Sequence, residues 1–343
     1  MQVAAVILAA GSSTRFGGPK QLVRIGARTT LGIVADVATA AGLSPVIVVA
    51  PSSLPAPETT MVVHNDVPSA GMSRSLRLGL EAVPPEAEAA VILLADQPTV
   101  DVALLQSLDG WRGGTPIVAT RADGVLGPPV LLEREAFGLA DGVTGDTGLR
   151  DLLRGDPTLV TAVDHERLPD IDTPSDLVAI TEPCPGCGAR YLPQVVDETH
   201  PYIGASAACW AAFGEVLARE FGDVAYGRLH RNTVDVYAVQ HPGTDARRER
   251  QSVALHLIGI CHWLEEDIDP QRLNAITQRL ADADRDWLWL DPPTDYAMTV
   301  VDLLAAHDGP EHLRLVRIWA ERTWDAWSAH HDVVRSWAHE ALQ

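Results

Sequence analysis

The sequence predicts an α/β domain on a mostly parallel, Rossmann-like sheet, followed by a mainly α-helical domain. Three observations carry this. Near-continuous apolar runs such as "VAAVILA" (3–9), "PVIVVA" (45–50) and "AVILLA" (90–95) alternate with segments of helical spacing up to residue 181. Such runs suit parallel strands buried on both faces. Beyond residue 183 strand patterns become scarce, and apolar residues recur at helical intervals. Composition breaks at the same place: all four Cys, ten of the twelve His and eight of the nine Trp lie after it.

Taken in order, strands are predicted at 3–9, 45–50, 61–64, 90–95, 116–120 and 158–163, with helices at 30–41, 72–83, 101–109, 146–153 and 174–181. Pro183 and Pro185 in "ITEPCPGCG" end the last of these helices, dividing the chain into domains 1–182 and 183–343. The second half has helical spacing at 207–221, 230–240, 249–266, 271–282, 297–307 and 311–341, with Asp269-Pro270 and Gly309-Pro310 as helix starts.

Charge narrows the function classes. The chain carries a net charge of −20, divided evenly with −10 before residue 183 and −10 after it, and no basic block. A footprint for nucleic acid is therefore missing. No run of about 18 apolar residues suggests a membrane span, and "MQVAAVILAAG" runs straight into a glycine loop instead of a cleavage site. Four Cys, two of them in a CxxC, suit a reducing cytoplasm.

The stretch "VILAAGSSTRFGGPKQL" joins a strand to a loop holding Gly11, Gly17, Gly18, Ser12, Ser13, Arg15 and Lys20. It is neither GxGxxG nor GxxxxGK[ST], yet the physics is shared. Glycines let backbone N–H groups approach a polyphosphate, and the two cations neutralise it. Lys20 is the only lysine among 26 basic residues. A compact ammonium can follow a phosphoryl group as it reacts, where a planar guanidinium grips in one geometry.

These residues read Leu8-Ala9-Ala10-Gly11-Ser12-Ser13-Thr14-Arg15-Phe16-Gly17-Gly18-Pro19-Lys20. They resemble the LAAGxSxRxGxxK signature of the nucleotidyltransferases that include the molybdenum cofactor cytidylyltransferases. "HNDVPSAGMSRSLRLGL" (64–80), "LLADQPTV" (93–100), "GPPVLLEREAF" (127–137), "GDTGLRDLL" (145–153) and "DIDTPSDL" (170–177) follow in that family's order. The resemblance implies a sheet of the nucleotide-diphospho-sugar transferase type. It assigns Arg15 and Lys20 to the triphosphate, with Lys20 at the α-phosphate. Leu8, Ala9, Ala10, Gly11, Ser12, Ser13 and Ser75 would line the nucleotide. Asp96 would bind Mg²⁺, with Asp172, or in competition Asp170, as second ligand.

Two carboxylates at strand ends beside a cationic loop suit Mg²⁺, which prefers few protein ligands plus phosphates. Asp96 also fits a turn before Pro98, and Asp172 an N-cap for the helix from Pro174. Ala10 tilts the donor towards CTP, since guanylyl members read LAGG. Relatives that share the loop act on molybdopterin or other small phosphorylated metabolites, or bind dinucleotides. The expected reaction is transfer of CMP to a phosphorylated small molecule, with pyrophosphate leaving. The alternative is a non-catalytic nucleotide-binding protein whose helical half contacts a protein partner.

In the second half "CPGCG" (184–188) presents Cys184 and Cys187 as half of a tetrahedral Zn²⁺ site, or as free or redox-active thiols in a turn. His241 and His256 stand first among candidates for the remainder, with His200, Cys209, Cys261, His262, His330 and His331 also available. His241 equally suits the C-terminus of the preceding helix. Trp319, Trp324, Trp327 and Trp337 read as a core stripe. "HPYIGASAACW", "VDVYAVQHPG" and "WAERTWDAWSAHHDVVRSW" resemble an uncharacterised bacterial family, a domain of unknown function that implies no activity.

Overall fold

The structure is a computed structural model. It describes all residues except 1, 12, 14, 68–70, 146–147, 194–198, 224–225, 227–228, 267, 269 and 284. The chain divides into two compact units, residues 1–24 with 28–180 and residues 25–27 with 181–343.

Along residues 1–180 the order is β1 (Gln2–Leu8), the short β2 (Arg24–Ile25) and β3 (Arg28–Thr29), α1 (Thr30–Ala40), β4 (Val46–Ala50), β5 (Met61–His64) and α2 (Met72–Glu81). It continues with β6 (Ala87–Leu94), α3 (Val102–Gly110), β7 (Ile117–Ala122), β8 (Val125–Glu133), α4 (Gly148–Gly155), β9 (Val160–Asp164) and α5 (Pro174–Ile180). Seven strands form one sheet in the order β5-β4-β1-β6-β8-β7-β9. Only β8 runs antiparallel to its neighbours.

Alternation along β1 builds two cores. Val3, Ala5 and Ile7 pack under Leu31 of α1 and Leu105 of α3, while Ala4, Val6 and Leu8 pack under Leu76 of α2 and Leu149 of α4. The helices begin where side chains cap them: Thr29 accepts from Gly32 N and Asp101 from Leu104 N.

β8 is the strand that sequence patterning missed, because Pro128 and Pro129 argue against a central strand. The pairing register between β7 and β8 shifts at Ala119/Thr120, so Val130 and Gly127 pair in succession and both prolines sit in the bulge.

The second unit opens with a hairpin of β10 (Glu182–Pro183) and β11 (Arg190–Tyr191), and helices follow: α6 (Ala207–Gly222), α7 (His230–Gln240), α8 (Arg247–Glu265), α9 (Pro270–Asp282), α10 (Val300–Leu303), α11 (Gly309–Ala326) and α12 (His331–Ala341). The tryptophan stripe is core, as its spacing implies: Trp319, Trp324, Trp327 and Trp337 are all buried. The helix expected over 311–341 is two helices. Buried Trp327 sits at the break, where a 3-10 turn over Ser328–His330 redirects the chain. Of the segment 297–307, only Val300–Leu303 is helical.

Candidate functional site

β1 and β6 are central neighbours in the sheet, so the loops that leave their carboxyl ends lie side by side, where ligands of such sheets bind. Ala95 N donates to Leu8 O, and Ile171 N donates to Asp96 O at 2.9 Å. The glycine loop, the end of β6 and the 170–172 segment are thereby held together.

Their charged groups converge. Lys20 Nζ lies 2.5 Å from Asp96 Oδ2 and 2.7 Å from Asp172 Oδ1, and Arg15 reaches Asp172 Oδ2 at 2.9 Å. Lys20 is mostly buried, whereas the Arg15 side chain is 73% exposed. Burial works against the Lys20 ammonium, but hydrogen bonds to Asp172 and Asp96 outweigh it and raise its pKa above 10.5. The bond from Lys20 holds Asp172 below the ordinary carboxylate value. Asp170 stands apart: its Oδ1 accepts from Gln97 Nε2 at 2.9 Å. Burial, then the charge of Asp96, pushes its carboxyl up. Asp96 and Asp172, both bound to one ammonium, thus converge on a single cationic point, which fits a small divalent ion.

A residue that patterning missed shapes the loop. Gln21 is buried, its Nε2 donates to Ala9 O and to Gly11 O at 3.0 Å each, and its Oε1 accepts from Ser13 Oγ. The only advance signal was a polar residue directly after Lys20. Ser13 itself has φ of 50°, and its Oγ accepts from Lys20 N. Backbone groups of Leu8 and Ala9 serve the fold, since Ala9 N donates to Val49 O. Ala10 and Gly11 begin the loop. Ser12 lies outside the described residues, as does Asp146 of the "GDTG" motif. Ser75 is buried, and its Oγ accepts from Asn65 Nδ2 at 2.9 Å, tying α2 to the end of β5. A cavity of about 750 Å³ at the other end of the sheet, lined by Glu88, Arg112 and Glu133, contains none of these residues.

In the second unit the Sγ atoms of Cys184, Cys187 and Cys209 and a ring nitrogen of His241 lie within 4.8 Å of one another, all buried. The other thiols hold Cys184 well below its ordinary value and push Cys187 well above it. His256 is elsewhere: its Nδ1 meets Asp235 Oδ1 at 2.6 Å, and Asp235 also accepts from Arg231. His262 pairs with Glu266, and Cys261 lies near Glu265.

Residues 5–168 match the family model of the MobA-like NTP transferase domain. Over that span the first unit is similar to MobA-like nucleotidyltransferase domains. Residues 182–328 match a family of unknown function, DUF5946. Purine catabolism protein PucB of Bacillus subtilis (strain 168) is 31% identical over 112 residues, covering 32% of this chain and 51% of PucB. The chain thus spans about half the length of that curated relative. Two solved structures are similar to the nucleotidyltransferase unit. Rv0371c from Mycobacterium tuberculosis H37Rv is 33% identical, covering 52% of this chain and 97% of its own, with a TM-score of 0.47. Its homologue from mycobacterium sp. strain JC1 is 28% identical, covering 52% and 96%, with a TM-score of 0.48. No helix among the described residues is long and apolar enough to cross a membrane.

Proposed function

We propose that the nucleotidyltransferase unit transfers CMP from CTP to a phosphorylated small molecule, with Mg²⁺ held by Asp96 and Asp172 and pyrophosphate as the leaving group. The observation that carries this is the joint grip of Asp96 and Asp172 on Lys20 beside the glycine loop. Simple nucleotide binding does not require two carboxylates aimed at one point beside a phosphate loop.

The reaction is an in-line displacement: an oxygen of the acceptor's phosphate bonds to the α-phosphorus as the bond to pyrophosphate breaks. Asp96 and Asp172 would hold Mg²⁺, which would supply neutralisation of the phosphate charge. Lys20, on the same loop as Arg15, would reach the reacting α-phosphate. Arg15, exposed and on the same loop, takes the outer phosphates bidentately. Ala10 and Gly11 present backbone to the nucleotide. Catalysis here is positioning and charge neutralisation. Molybdopterin stands first among acceptors to assay, because the chain resembles the enzymes that use it.

The second unit is a zinc-binding module in which Cys184 and Cys187 supply two ligands, a chemistry suited to the reducing cytoplasm. The test of the transferase is pyrophosphate release from each NTP with Mg²⁺ and a panel of phosphorylated acceptors, with Lys20→Ala and Asp96→Ala as controls. Turnover with CTP that both substitutions abolish is the expected result. No NTP-dependent rise in melting temperature, and no turnover with any acceptor, defeats the enzymatic reading.

A further inference from the structure

Three separate elements of the second unit deliver the sulfur and nitrogen ligands to one point. The β10–β11 hairpin turns through "CPGCG", with Gly188 N donating to Cys184 O. Cys209 lies in the first turn of α6, where its N donates to the capping Ser206 Oγ. His241 is the residue that ends α7. Gly186 is required where the hairpin meets His241, because a Cβ there would stand 2.5 Å from the His241 ring and 2.6 Å from Gln240 O.

We propose that Cys184, Cys187, Cys209 and His241 together bind one zinc ion in a closed tetrahedral site that holds the second unit's fold. The proposal rests on the reading of this unit as a zinc module and goes further, naming the full ligand set and its structural role.

The distances fit. Zinc–sulfur bonds of about 2.3 Å and zinc–nitrogen bonds of about 2.0 Å at tetrahedral angles set sulfur–sulfur edges of about 3.8 Å and sulfur–nitrogen edges of about 3.5 Å. Cys187 Sγ and Cys209 Sγ are 3.7 Å apart, and Cys209 Sγ is 3.3 Å from His241 Nε2.

The histidine is oriented as a ligand. His241 Nδ1 lies 2.7 Å from Tyr237 O, a bond only an N–H can make there, so in the neutral ring the lone pair is on Nε2, 3.3 Å from Cys209 Sγ. The sulfurs have donors placed as thiolates need them: Ser206 N lies 3.4 Å from Cys184 Sγ, and the Tyr237 hydroxyl 3.7 Å from Cys209 Sγ.

The site is closed. Cys209 and His241 are fully buried, and Cys184 and Cys187 are 2% and 4% exposed. Four protein ligands fill a tetrahedron and leave no position for water or substrate, the arrangement of structural zinc. On binding, each thiol releases its proton to solvent, so affinity falls as pH falls.

The test is metal analysis of the full-length chain, expressed with zinc and dialysed, with circular dichroism to confirm folding. One zinc per chain is expected. Cys209→Ser and His241→Ala should each lower zinc affinity at least about tenfold, while Cys261→Ser and His256→Ala retain the ion. His241→Cys should also retain it, since a fourth thiolate suits zinc, and this rescue separates lost ligation from lost folding. In the Co²⁺-loaded protein, the thiolate charge-transfer band should be insensitive to added azide. Zinc fully retained in both Cys209→Ser and His241→Ala overturns the ligand set but not the zinc reading. A band shifted by azide overturns the closed site. Iron, or no stoichiometric metal in the unsubstituted chain, overturns both.

Discussion

Lys20 Nζ donates to Asp172 Oδ1 at 2.7 Å across 152 residues of sequence, and the same ammonium holds Asp96. The bond joins the first loop of the nucleotidyltransferase unit to its last, and it makes one cation responsible for both proposed metal carboxylates.

Replacing that cation by a larger one should therefore separate binding from turnover. Lys20→Arg keeps the charge but puts a planar fork into a space shaped for a point. The expected result is a fall in kcat of about 100-fold, with a much smaller change in nucleotide Kd, measured by steady-state kinetics and calorimetry. Unchanged kcat would remove Lys20 from the α-phosphate.

The same triad predicts a pH window. Asp172 has its pKa depressed by Lys20, so its stabilisation is full above the ordinary carboxylate value and is lost as pH falls through the depressed one. Lys20 has its pKa raised, so its share is full below the ordinary lysine value and is lost as pH rises through the raised one. The stability difference between the unsubstituted chain and Lys20→Met should be flat from about pH 5 to 9 and shrink towards both extremes. Denaturant titrations across pH measure it, and a difference that grows with acidity contradicts the pairing.

Gln21→Leu should loosen the glycine loop without touching a ligand. The leucine leaves Ala9 O and Gly11 O without their side-chain donor, at a cost of about 1–3 kcal/mol. A lower denaturation midpoint together with a raised KM for nucleotide is expected. A lower midpoint with KM unmoved would confine Gln21 to the fold.

Asp235 offers a test confined to the second unit. It is buried with both carboxylate oxygens 2.9 Å from Arg231 Nε, and His256 is 2.6 Å from Oδ1. Breaking such a pair from one side costs about 3–5 kcal/mol. Asp235→Ala should lower stability by that order in chemical denaturation while leaving the zinc content unchanged, which distinguishes this network from the cysteine cluster.

Much of this was legible in the primary structure because local chemistry imposes it. Near-continuous apolar runs bury on both faces of a sheet, and the glycine loop needs its glycines and cations in chain order. A CxxC with Pro and Gly between its thiols can only turn. What was not legible depends on contacts distant in sequence. Pro128 and Pro129 argue locally against a strand, and the bulge between β7 and β8 accommodates them. The helical period over 311–341 continues through Trp327, yet the α-helix ends at Ala326 and a 3-10 turn follows beside that buried ring. Asp170 and Asp172 are chemically equal in sequence. Gln97 takes one and Lys20 the other.

The sequence by itself determined two domains of different chemistry, a phosphate-type loop with one lysine, and half of a thiol site. Only the tertiary structure decided which carboxylates share that lysine, and that Cys209 and His241 join Cys184 and Cys187. Spacing constrains neighbours within a turn or a strand, whereas side chains 22 and 32 residues apart meet through the packing of whole helices.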